Sequence, residues 1–316
     1  MKCNKTHLVI VIITITFLCS FSIHAQESCN VNDISDELPL VPGSCTIFSA
    51  SYGNTALFGN NEDYKKIGLY YWIRPRSDTT YGGVYFGFEN HNPQGGVNEK
   101  GLAFDYNALP EAKLNDHPEL PNRGAIMRKI QENCATVKEA ITFATMYNWG
   151  GSISYQIHLA DATGDAVVMS AGLDGELAFT GKLEGDVYLL STNFNVANLE
   201  NTFSDGYPCW RYLRADKMLR EINSEENLTL DYFKYIAKAT HIESGLGNTL
   251  YSYIIDLKRC LIYIYYWHQY DEVALLNVAE EIAKEAPPLR IENLFSPKTI
   301  KKAENELQDY IEKGIE

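Results

Sequence analysis

A cysteine and an aspartate eighteen residues apart are the pair in this sequence whose types and spacing most directly suggest chemistry. Cys45 lies in the segment SCTIF (44–48), and Asp63 ends the segment GNNED (59–63). An N-terminal cysteine carries nucleophile and base on one residue, because its thiol attacks a carbonyl while its own α-amine, with an unperturbed pKa of about 8, accepts the proton. The carboxylate of Asp63 could fix the orientation of that amine. The pair therefore predicts amide cleavage by a thiol.

Three further polar residues could serve the same reaction. Asn107 and Asn193 each follow a β-rich run, so we expect each at the end of a strand. A side-chain amide is a neutral donor suited to a tetrahedral oxyanion, and Arg211 supplies a permanent cation near a predicted helix start. Each has a simpler interpretation, since asparagine is a common turn former and Arg211 could pair on the surface with Asp205 or Asp216.

The residues before Cys45 predict export followed by removal. Residues 1–25 have a basic start, an apolar run and the small residue Ala25 at their end, the pattern of a signal peptide cleaved after Ala25. Its apolar run of about sixteen residues is short for a membrane span. Residues 26–44 are interpreted as a pro-segment, removed by an acyl shift onto the Cys45 thiol or by an outside protease. We expect a secreted or periplasmic protein.

Composition and charge limit the partners. The 316 residues carry 27 basic and 41 acidic side chains, for a net charge of −14, which repels nucleic acid phosphates and anionic lipid. We expect no nucleic acid partner and no stable membrane insertion after signal cleavage. The length suffices for one large core, so residues 45–316 are predicted to form a single catalytic domain with a C-terminal helix. A homo-oligomer is compatible with the sequence.

The cysteines leave alternatives open. Those beyond the signal peptide form an odd set without C-x-x-C spacing, typical of neither a disulfide scaffold nor a zinc site, and we expect no metal or organic cofactor. A Cys29–Cys45 disulfide, closing a loop of about 15 residues and contributing roughly 3 kcal/mol, would instead indicate a non-catalytic secreted ligand-binding protein. A papain-like hydrolase with a histidine base is a further alternative, although no histidine lies in a recognisable motif.

Short β-rich runs and helical patterns must position these residues. A helical pattern over 124–148 restarts at Thr136, and others cover 208–222 and 230–239. A hairpin is predicted over 250–267, and Pro297 opens a final helix. This order favours an α+β fold, a four-layer α/β/β/α sandwich of two antiparallel sheets flanked by helices, over a parallel βαβ fold. The other β-rich runs are 46–51, 55–58, 70–73, 83–88, 154–160, 166–171 and 186–192.

Four segments together resemble the linear amide C–N hydrolases, which include choloylglycine hydrolases, penicillin V acylases and the isopenicillin N acyltransferase group. They are CT (45–46), GNNED (59–63), GGVNEKGLA (95–103) and STN (191–193), in the family's order. The resemblance implies an N-terminal nucleophile hydrolase fold. It also implies an enzyme that cleaves linear amides of small N-acyl compounds through a cysteine thioester, by hydrolysis or acyl transfer.

The resemblance assigns a role to each candidate residue. Cys45 would be the nucleophile and its amine the base, with Asp63 orienting that amine. Asn107 and Asn193 would serve the oxyanion or the α-amine. Arg211 falls in a stretch similar to the family's Ser-Arg-Phe segment, which implies a catalytic arginine.

One position departs from the family. Bile-salt and penicillin V members carry arginine in Arg-Asn-x-Asp, where this chain has Asn60. Without that cation, thiolate stabilisation must come from elsewhere, so the secreted acyltransferase-like members fit better than the bile-salt or penicillin V enzymes. Aromatic residues between 70 and 88 could line an apolar acyl pocket, although such residues more often belong to a core.

Overall fold

The computed structural model describes residues 45–64, 68–198, 209–244, 247–284 and 286–312. The predicted signal peptide and pro-segment, with Cys29, lie outside the described residues. Among the helices that are described, none has the length and apolar character needed to cross a bilayer.

Two antiparallel sheets contain the strands of the described residues. The strands are β1 (Thr46–Tyr52), β2 (Thr55–Tyr64), β3 (Leu69–Arg74), β4 (Gly83–Phe88), β5 (Pro93–Asn98), β6 (Ala103–Lys113), β7 (Ser152–Ala160), β8 (Ala166–Ala171), β9 (Leu177–Gly181), β10 (Tyr188–Ser191), β11 (Glu243–Ser244), β12 (Gly247–Asp256), β13 (Leu261–Tyr266), β14 (Gln269–Asn277) and β15 (Leu289–Arg290). The first sheet has the order β10-β1-β2-β12-β13-β14, with β11 paired to β12. The second has the order β15-β3-β4-β5-β6-β7-β8-β9.

The helices of the described residues are α1 (Ile126–Asn133), α2 (Val137–Ala144), α3 (Trp210–Leu219), α4 (Leu230–Thr240), α5 (Val278–Lys284) and α6 (Pro297–Glu312), with short 3-10 turns at Glu225–Asn227 and Ile291–Leu294. Four of these helices, α1 to α4, cover the outer faces of the two sheets, whereas α5 and α6 pack with the core between them. The restart at Thr136 is confirmed, because its hydroxyl accepts a hydrogen bond from the Glu139 N–H at 3.2 Å and starts α2 in a capping box.

The alternation of side chains along the strands builds the layers. In β1, Ile47 faces the space between the sheets, whereas Phe48 packs with residues of α3 and α4. In β4, Val84 faces the first sheet, and Tyr85 packs with residues of α1 and α2. Successive residues of a strand point to opposite faces, so each sheet is apolar on both sides. The layer order is α1/α2, second sheet, first sheet, α3/α4, which confirms the predicted four-layer sandwich.

Several elements were missed by the sequence patterns. β5, β9, β14 and α5 were not predicted, and β5 has the sequence PQGGVN, whose glycines and proline have low strand propensity. Pairing with β4 and β6 overrides that local preference. The expectation that Asn107 ends a strand is wrong, since β6 continues to Lys113. Its pairing with β7 is irregular only between Ala108 and Ala112, where Pro110 supplies no backbone N–H.

Candidate active site

Cys45 lies at the start of β1 with its side chain between the two sheets. The residue is 5% exposed and its thiol is free. Thr46 pairs with Asn61 across β1 and β2, a register that places Cys45 opposite Glu62. Burial, and then the charges of nearby carboxyls, Glu62 first, raise the pKa of the thiol well above its usual value. The sulfur therefore needs a base before it can attack.

Asp63 points to the other side of β2, toward the helices. The hydroxyl of Thr249, its cross-strand neighbour on β12, donates to Oδ1, and Nη1 of Arg211 lies 3.4 Å from Oδ2. Burial raises the pKa of Asp63 to about 7, although Arg211 and the Thr249 hydrogen bond oppose that shift. The carboxyl is held from two directions and its geometry is fixed.

Arg211 joins three segments of the chain from the first turn of α3. It is 4% exposed, and besides the contact with Asp63 its Nη1 donates to Thr46 Oγ1 at 2.8 Å. Its Nη2 donates to Asn193 Oδ1 at 3.0 Å. The guanidinium thus ties α3 to the residue after the candidate nucleophile.

The surface alternative for Arg211 is not what the structure shows. Asp205 lies outside the described residues. Asp216 accepts hydrogen bonds from Arg220 at 2.8 Å and from the Tyr188 hydroxyl at 2.6 Å. Arg211 is consequently a buried cation of the site.

Asn107 approaches Cys45 from the second sheet. Its Nδ2 donates to the backbone carbonyl of Cys45 at 3.2 Å, and its Oδ1 accepts from Nε2 of Gln156 at 3.2 Å. Gln156 also donates to the carbonyl of Thr192 at 2.8 Å. A side-chain amide held at both ends in this way presents a donor beside the nucleophile.

Asn193 follows β10, so its predicted place just past a strand end is confirmed. Its Nδ2 donates to the carbonyl of Ala108 at 2.9 Å, and its Oδ1 accepts from Arg211. The five residues predicted from the sequence therefore belong to one connected network: Cys45 contacts Asn107, Arg211 contacts Asp63, Asn193 and Thr46, and Gln156 links Asn107 to the segment that ends in Asn193.

Two buried carboxyls beside Cys45 were missed by the sequence reasoning. Asp105 accepts hydrogen bonds from Asn60 Nδ2 at 2.8 Å, from the Tyr106 N–H at 2.6 Å and from the Tyr253 hydroxyl. Glu62 is 5% exposed, and its Oε2 has no hydrogen-bond partner among the described residues. Asn60, at the position where the resemblance implies arginine, instead donates a hydrogen bond from its amide to Asp105.

Burial governs the protonation of both carboxyls. It raises the pKa of Glu62 to about 8, with a further contribution from the charge of Asp63, against hydrogen bonding from Asn60 and Cys45. Burial and then the Glu62 charge likewise raise the pKa of Asp105. Strand alternation could have found them, since Glu62 shares a face with Asn60, and Asp105 shares one with Asn107.

His158 is excluded as the base of a papain-like pair. Its Nε2 lies 2.9 Å from Ser49 Oγ and its Nδ1 lies 2.9 Å from Ser191 Oγ, so both ring nitrogens are occupied. Burial lowers its pKa to about 3 and keeps the ring neutral. His158 connects the two sheets. Across the part of the chain that is described, no cluster of three His, Cys, Asp or Glu side chains could hold a metal ion.

A cavity of about 810 Å³ opens at Cys45. Glu62, Asp63 and Tyr64 line it from the end of β2, and Phe88 lines it from β4. Most of the aromatic residues between 70 and 88 do not line this cavity. Tyr71, Trp72, Tyr85 and Phe86 belong to the core, which was the alternative to an acyl pocket. The volume lies within the range of about 300–1,000 Å³ typical of small-molecule sites.

The fold has solved relatives. The structure of penicillin V acylase from Agrobacterium tumefaciens is similar with a TM-score of 0.62 and 18% identity, over 78% of this chain and 91% of that chain. A mutant of conjugated bile acid hydrolase from Clostridium perfringens is similar with a TM-score of 0.58 and 17% identity, over 75% and 93%. Two antiparallel sheets flanked by helices, as in these neighbours, define an N-terminal nucleophile hydrolase fold.

The sequence then specifies the family within that fold. Residues 51–266 match the family model of acyl-coenzyme A:6-aminopenicillanic acid acyl-transferase, and the chain belongs to this family. The family and the two structural neighbours are amide hydrolases or acyltransferases, as the resemblance to linear amide C–N hydrolases predicted. The matched span contains Asp63, Asn107, Asn193 and Arg211 and begins after Cys45. A comparison with curated protein sequences gives no match.

Proposed function

We propose that this protein is an exported amidase or acyltransferase that cleaves the linear C–N bond of a small N-acyl compound through a thioester on Cys45. The observation that carries the proposal is the position of Cys45. A free thiol lies at the cavity, and the side-chain amide of Asn107 donates to the backbone carbonyl of Cys45. Family membership supports the reaction class.

Maturation comes first in the proposed sequence. Cleavage of the peptide bond before Cys45 releases the α-amine, which can then act as base for the thiol of the same residue. Such a base is needed because burial keeps the thiol protonated. The paired Asp63 and Arg211 lie beside this terminus, where the carboxylate can accept a hydrogen bond from the new ammonium.

Acylation and deacylation of Cys45 can both proceed without a cofactor, because the α-amine accepts and returns each proton. The α-amine takes the thiol proton, sulfur bonds to the substrate carbonyl carbon, and the carbonyl oxygen becomes an oxyanion that the Asn107 amide can stabilise. When the C–N bond breaks, the departing amine receives the proton held by the ammonium. Water or a second amine next attacks the thioester, loses its proton to the α-amine, and restores the Cys45 thiol.

Intact mass and N-terminal sequencing of the exported protein test the maturation step. Wild type is expected to begin at Cys45, whereas Cys45→Ala should retain residues 26–44. Cys134→Ala is the matched control, because Cys134 is also a buried free cysteine but packs under α1 and α2. A wild-type chain that begins near Gln26, with Cys29 and Cys45 joined, would overturn the proposal.

Trapping of the acyl-enzyme tests the chemistry. Mature protein mixed with a panel of N-acyl amides should gain the mass of one acyl group, and Cys45→Ala should gain none. Adding hydroxylamine to the reaction separates transfer from hydrolysis, since a transferase forms the hydroxamate in proportion to the added amine. Asp63→Asn should lose turnover in the fraction that remains folded by circular dichroism, and an unchanged rate would contradict the role given to Asp63.

A further inference from the structure

The turn between β13 and β14 has a backbone conformation that its residues rarely adopt. Tyr266 pairs with Gln269, so the turn consists of Trp267 and His268 alone. Both have positive φ angles, 52° and 44°, where glycine and asparagine are the usual residues of such a tight turn. Two large ring side chains stay in that conformation only if other contacts hold them there.

Glu306 of α6 contacts both residues of the turn. Its Oε2 accepts a hydrogen bond from Nε1 of Trp267 at 2.8 Å and lies 3.1 Å from Nε2 of His268. Trp267 is 2% exposed, and the His268 side chain is 4% exposed. The span matched by the family model ends at Tyr266, so all three residues lie beyond it. The contact between α6 and the turn is therefore a feature of this chain outside the matched span.

β12 has a bulge beside the candidate active site. Thr249 of β12 is opposite Asp63 of β2 and Tyr251 is opposite Glu62, which leaves Leu250 as the extra residue. A bulge interrupts the ladder of backbone hydrogen bonds and changes the direction of neighbouring side chains. Here the Thr249 hydroxyl donates to Oδ1 of Asp63. The direction of that hydroxyl depends on how the bulge is held.

The turn binds the bulge at two successive carbonyls. The backbone N–H of Trp267 donates to the carbonyl of Leu250 at 2.8 Å, and Nδ1 of His268 lies 3.2 Å from the carbonyl of Thr249. A carbonyl only accepts, so Nδ1 carries a hydrogen in this contact. The bulge, the turn and α6 are consequently joined by hydrogen bonds from Thr249 to Glu306.

His268 lies between two acceptors. The carbonyl of Thr249 and the carboxylate of Glu306 both accept, so both ring nitrogens carry hydrogen when the two bonds form together. Burial lowers the pKa of His268, and the charges of Glu243 and Glu306 oppose that shift. When the ring is neutral, its one hydrogen can remain on Nδ1, and the Trp267 bond then ties the turn to α6.

We propose that Glu306 is a positioning residue for Asp63. Glu306 holds the turn, the turn holds the bulge at Thr249, and the bulge directs the Thr249 hydroxyl at the Asp63 carboxyl. Glu306 itself does not line the cavity at Cys45. This inference rests on the proposed function, in which Asp63 orients the α-amine of Cys45, and it assigns to α6 a part in keeping that geometry.

Titration of the Asp63 carboxyl by carbon NMR tests the inference without turnover. The Thr249 hydrogen bond lowers the pKa of Asp63, so Glu306→Ala should move the titration to higher pH. Made in the Thr249→Val protein, the same substitution should add no further shift, because the hydroxyl through which it acts is already absent. Glu304→Ala, at a 61% exposed position of α6, is the matched control and should leave the titration in place. An unmoved titration in Glu306→Ala, or a shift of undiminished size in the Thr249→Val protein, would overturn the inference.

Glu306→Gln separates geometry from charge. It removes the negative charge but keeps an oxygen that accepts from Trp267, so its Asp63 titration should stay close to that of wild type. Loss of charge alone would act on Asp63 through His241, whose charge lowers that pKa and whose ring stacks on His268 with 5.4 Å between centroids. Equal shifts in Glu306→Gln and Glu306→Ala would therefore mean that charge, and not position, links α6 to the site.

Kinetics of the mature enzyme separate positioning from stability. His268→Asn keeps a residue that tolerates the left-handed backbone but removes the ring that reaches Thr249. This variant and Glu306→Ala should each lower kcat by about three- to tenfold with little change in KM, because a displaced catalytic group slows the reaction more than it weakens binding. A lower free energy of unfolding with an unchanged kcat in the folded fraction would show a purely structural role.

Turnover also separates this inference from the proposed function. If amides are cleaved in a Cys45-dependent manner and Glu306→Ala changes neither kcat nor the Asp63 titration, the positioning role is wrong and the amidase function stands. If the titration shifts through Thr249 while no amide is cleaved in a Cys45-dependent manner, Glu306 positions Asp63 and the proposed function is wrong.

Discussion

Glu62 and Asp63 are adjacent carboxyls on β2 that lie in opposite surroundings. Asp63 faces the helices, where Thr249 donates to one oxygen and Arg211 lies 3.4 Å from the other. Glu62 faces the second sheet, where its Oε2 has no partner among the described residues and a second carboxyl, Asp105, lies close by. The alternation of a strand places the two on different faces, although they are neighbours in sequence.

The comparison separates two tasks around one nucleophile. On the helix side, Arg211 contacts Asp63, Thr46 and Asn193, and these contacts position the chain next to Cys45. On the inter-sheet side, burial raises the pKa of Glu62 to about 8, so near neutral pH its carboxyl holds a proton beside the thiol. The first side supplies geometry, and the second sets the electrostatic environment of the sulfur.

The largest effect is expected from breaking the helix side. Arg211→Met leaves Asp63 without its cation, and removal of one member of a buried pair lowers stability by about 3–5 kcal/mol. Urea unfolding of the variant measures that loss. Arg220→Met at the end of α3 is the control, since its pair with Asp216 is 64% exposed on the arginine and should be worth under about 1 kcal/mol. Equal losses of unfolding free energy in the two variants would contradict the conclusion that Arg211 and Asp63 form a buried charge pair.

The next effect concerns the inter-sheet side during turnover. Asn107→Ala removes the amide that donates to the Cys45 carbonyl, and loss of one oxyanion donor lowers kcat by about 10²- to 10³-fold with little change in KM. Steady-state kinetics on the amide found by acyl trapping measures it. Asn133→Ala, at an exposed position of α1, is the control. A variant with a higher KM and an unchanged kcat would mean that Asn107 binds the substrate but does not stabilise the transition state.

A smaller effect is expected from removing one donor on the helix side. Thr249→Val keeps the shape of the side chain but takes away the hydroxyl hydrogen bond to Asp63, for which about 1.5–3 kcal/mol is typical, and the acceptor of the Ile242 N–H. That bond also lowers the pKa of Asp63, so the variant should move the Asp63 titration to higher pH. NMR titration of the carboxyl carbon reports the shift. An unmoved titration would mean that Arg211 alone fixes the ionisation of Asp63.

The smallest effect has the opposite sign and depends on pH. Because the folded pKa of Glu62 is raised from its ordinary 4.5 to about 8, the native state holds a proton that the unfolded chain releases across that window. Its contribution to stability is present below about pH 4.5 and is lost as the pH rises to about 8. Glu62→Gln should therefore gain stability relative to wild type as the pH rises from 5 to 8, by on the order of 1–3 kcal/mol near pH 6. Denaturant unfolding over that range measures the gain.

An exposed carboxyl provides the control for the pH experiment. Glu304 on α6 is 61% exposed and lies 3.6 Å from Lys301, so Glu304→Gln should leave the pH dependence of stability as it is in wild type. If Glu62→Gln follows the same curve as wild type, the Glu62 carboxyl is ionised in both the native and the unfolded states, and the contrast with Asp63 disappears.

Features set by neighbouring residues were predicted from the sequence, whereas features set by residues distant in the chain were missed. Thr136 as a cap and Pro297 as a helix start are local features, and both were predicted correctly. β5 was missed because its residues are poor strand formers that pair only in the context of the sheet. Asn107 was identified, but its place within β6 depends on pairing with β7 and could not be predicted.

The sequence by itself determined the four-layer architecture and the five candidate residues, because strand alternation, helix periodicity and short motifs are written in neighbouring residues. The tertiary structure alone decided what surrounds the thiol. Asp105 meets Asn60 across the gap between the sheets, and Arg123 reaches the Cys45 cavity from the segment before α1. Such neighbours depend on how the sheets stack and where loops close over them, and no local pattern encodes that packing.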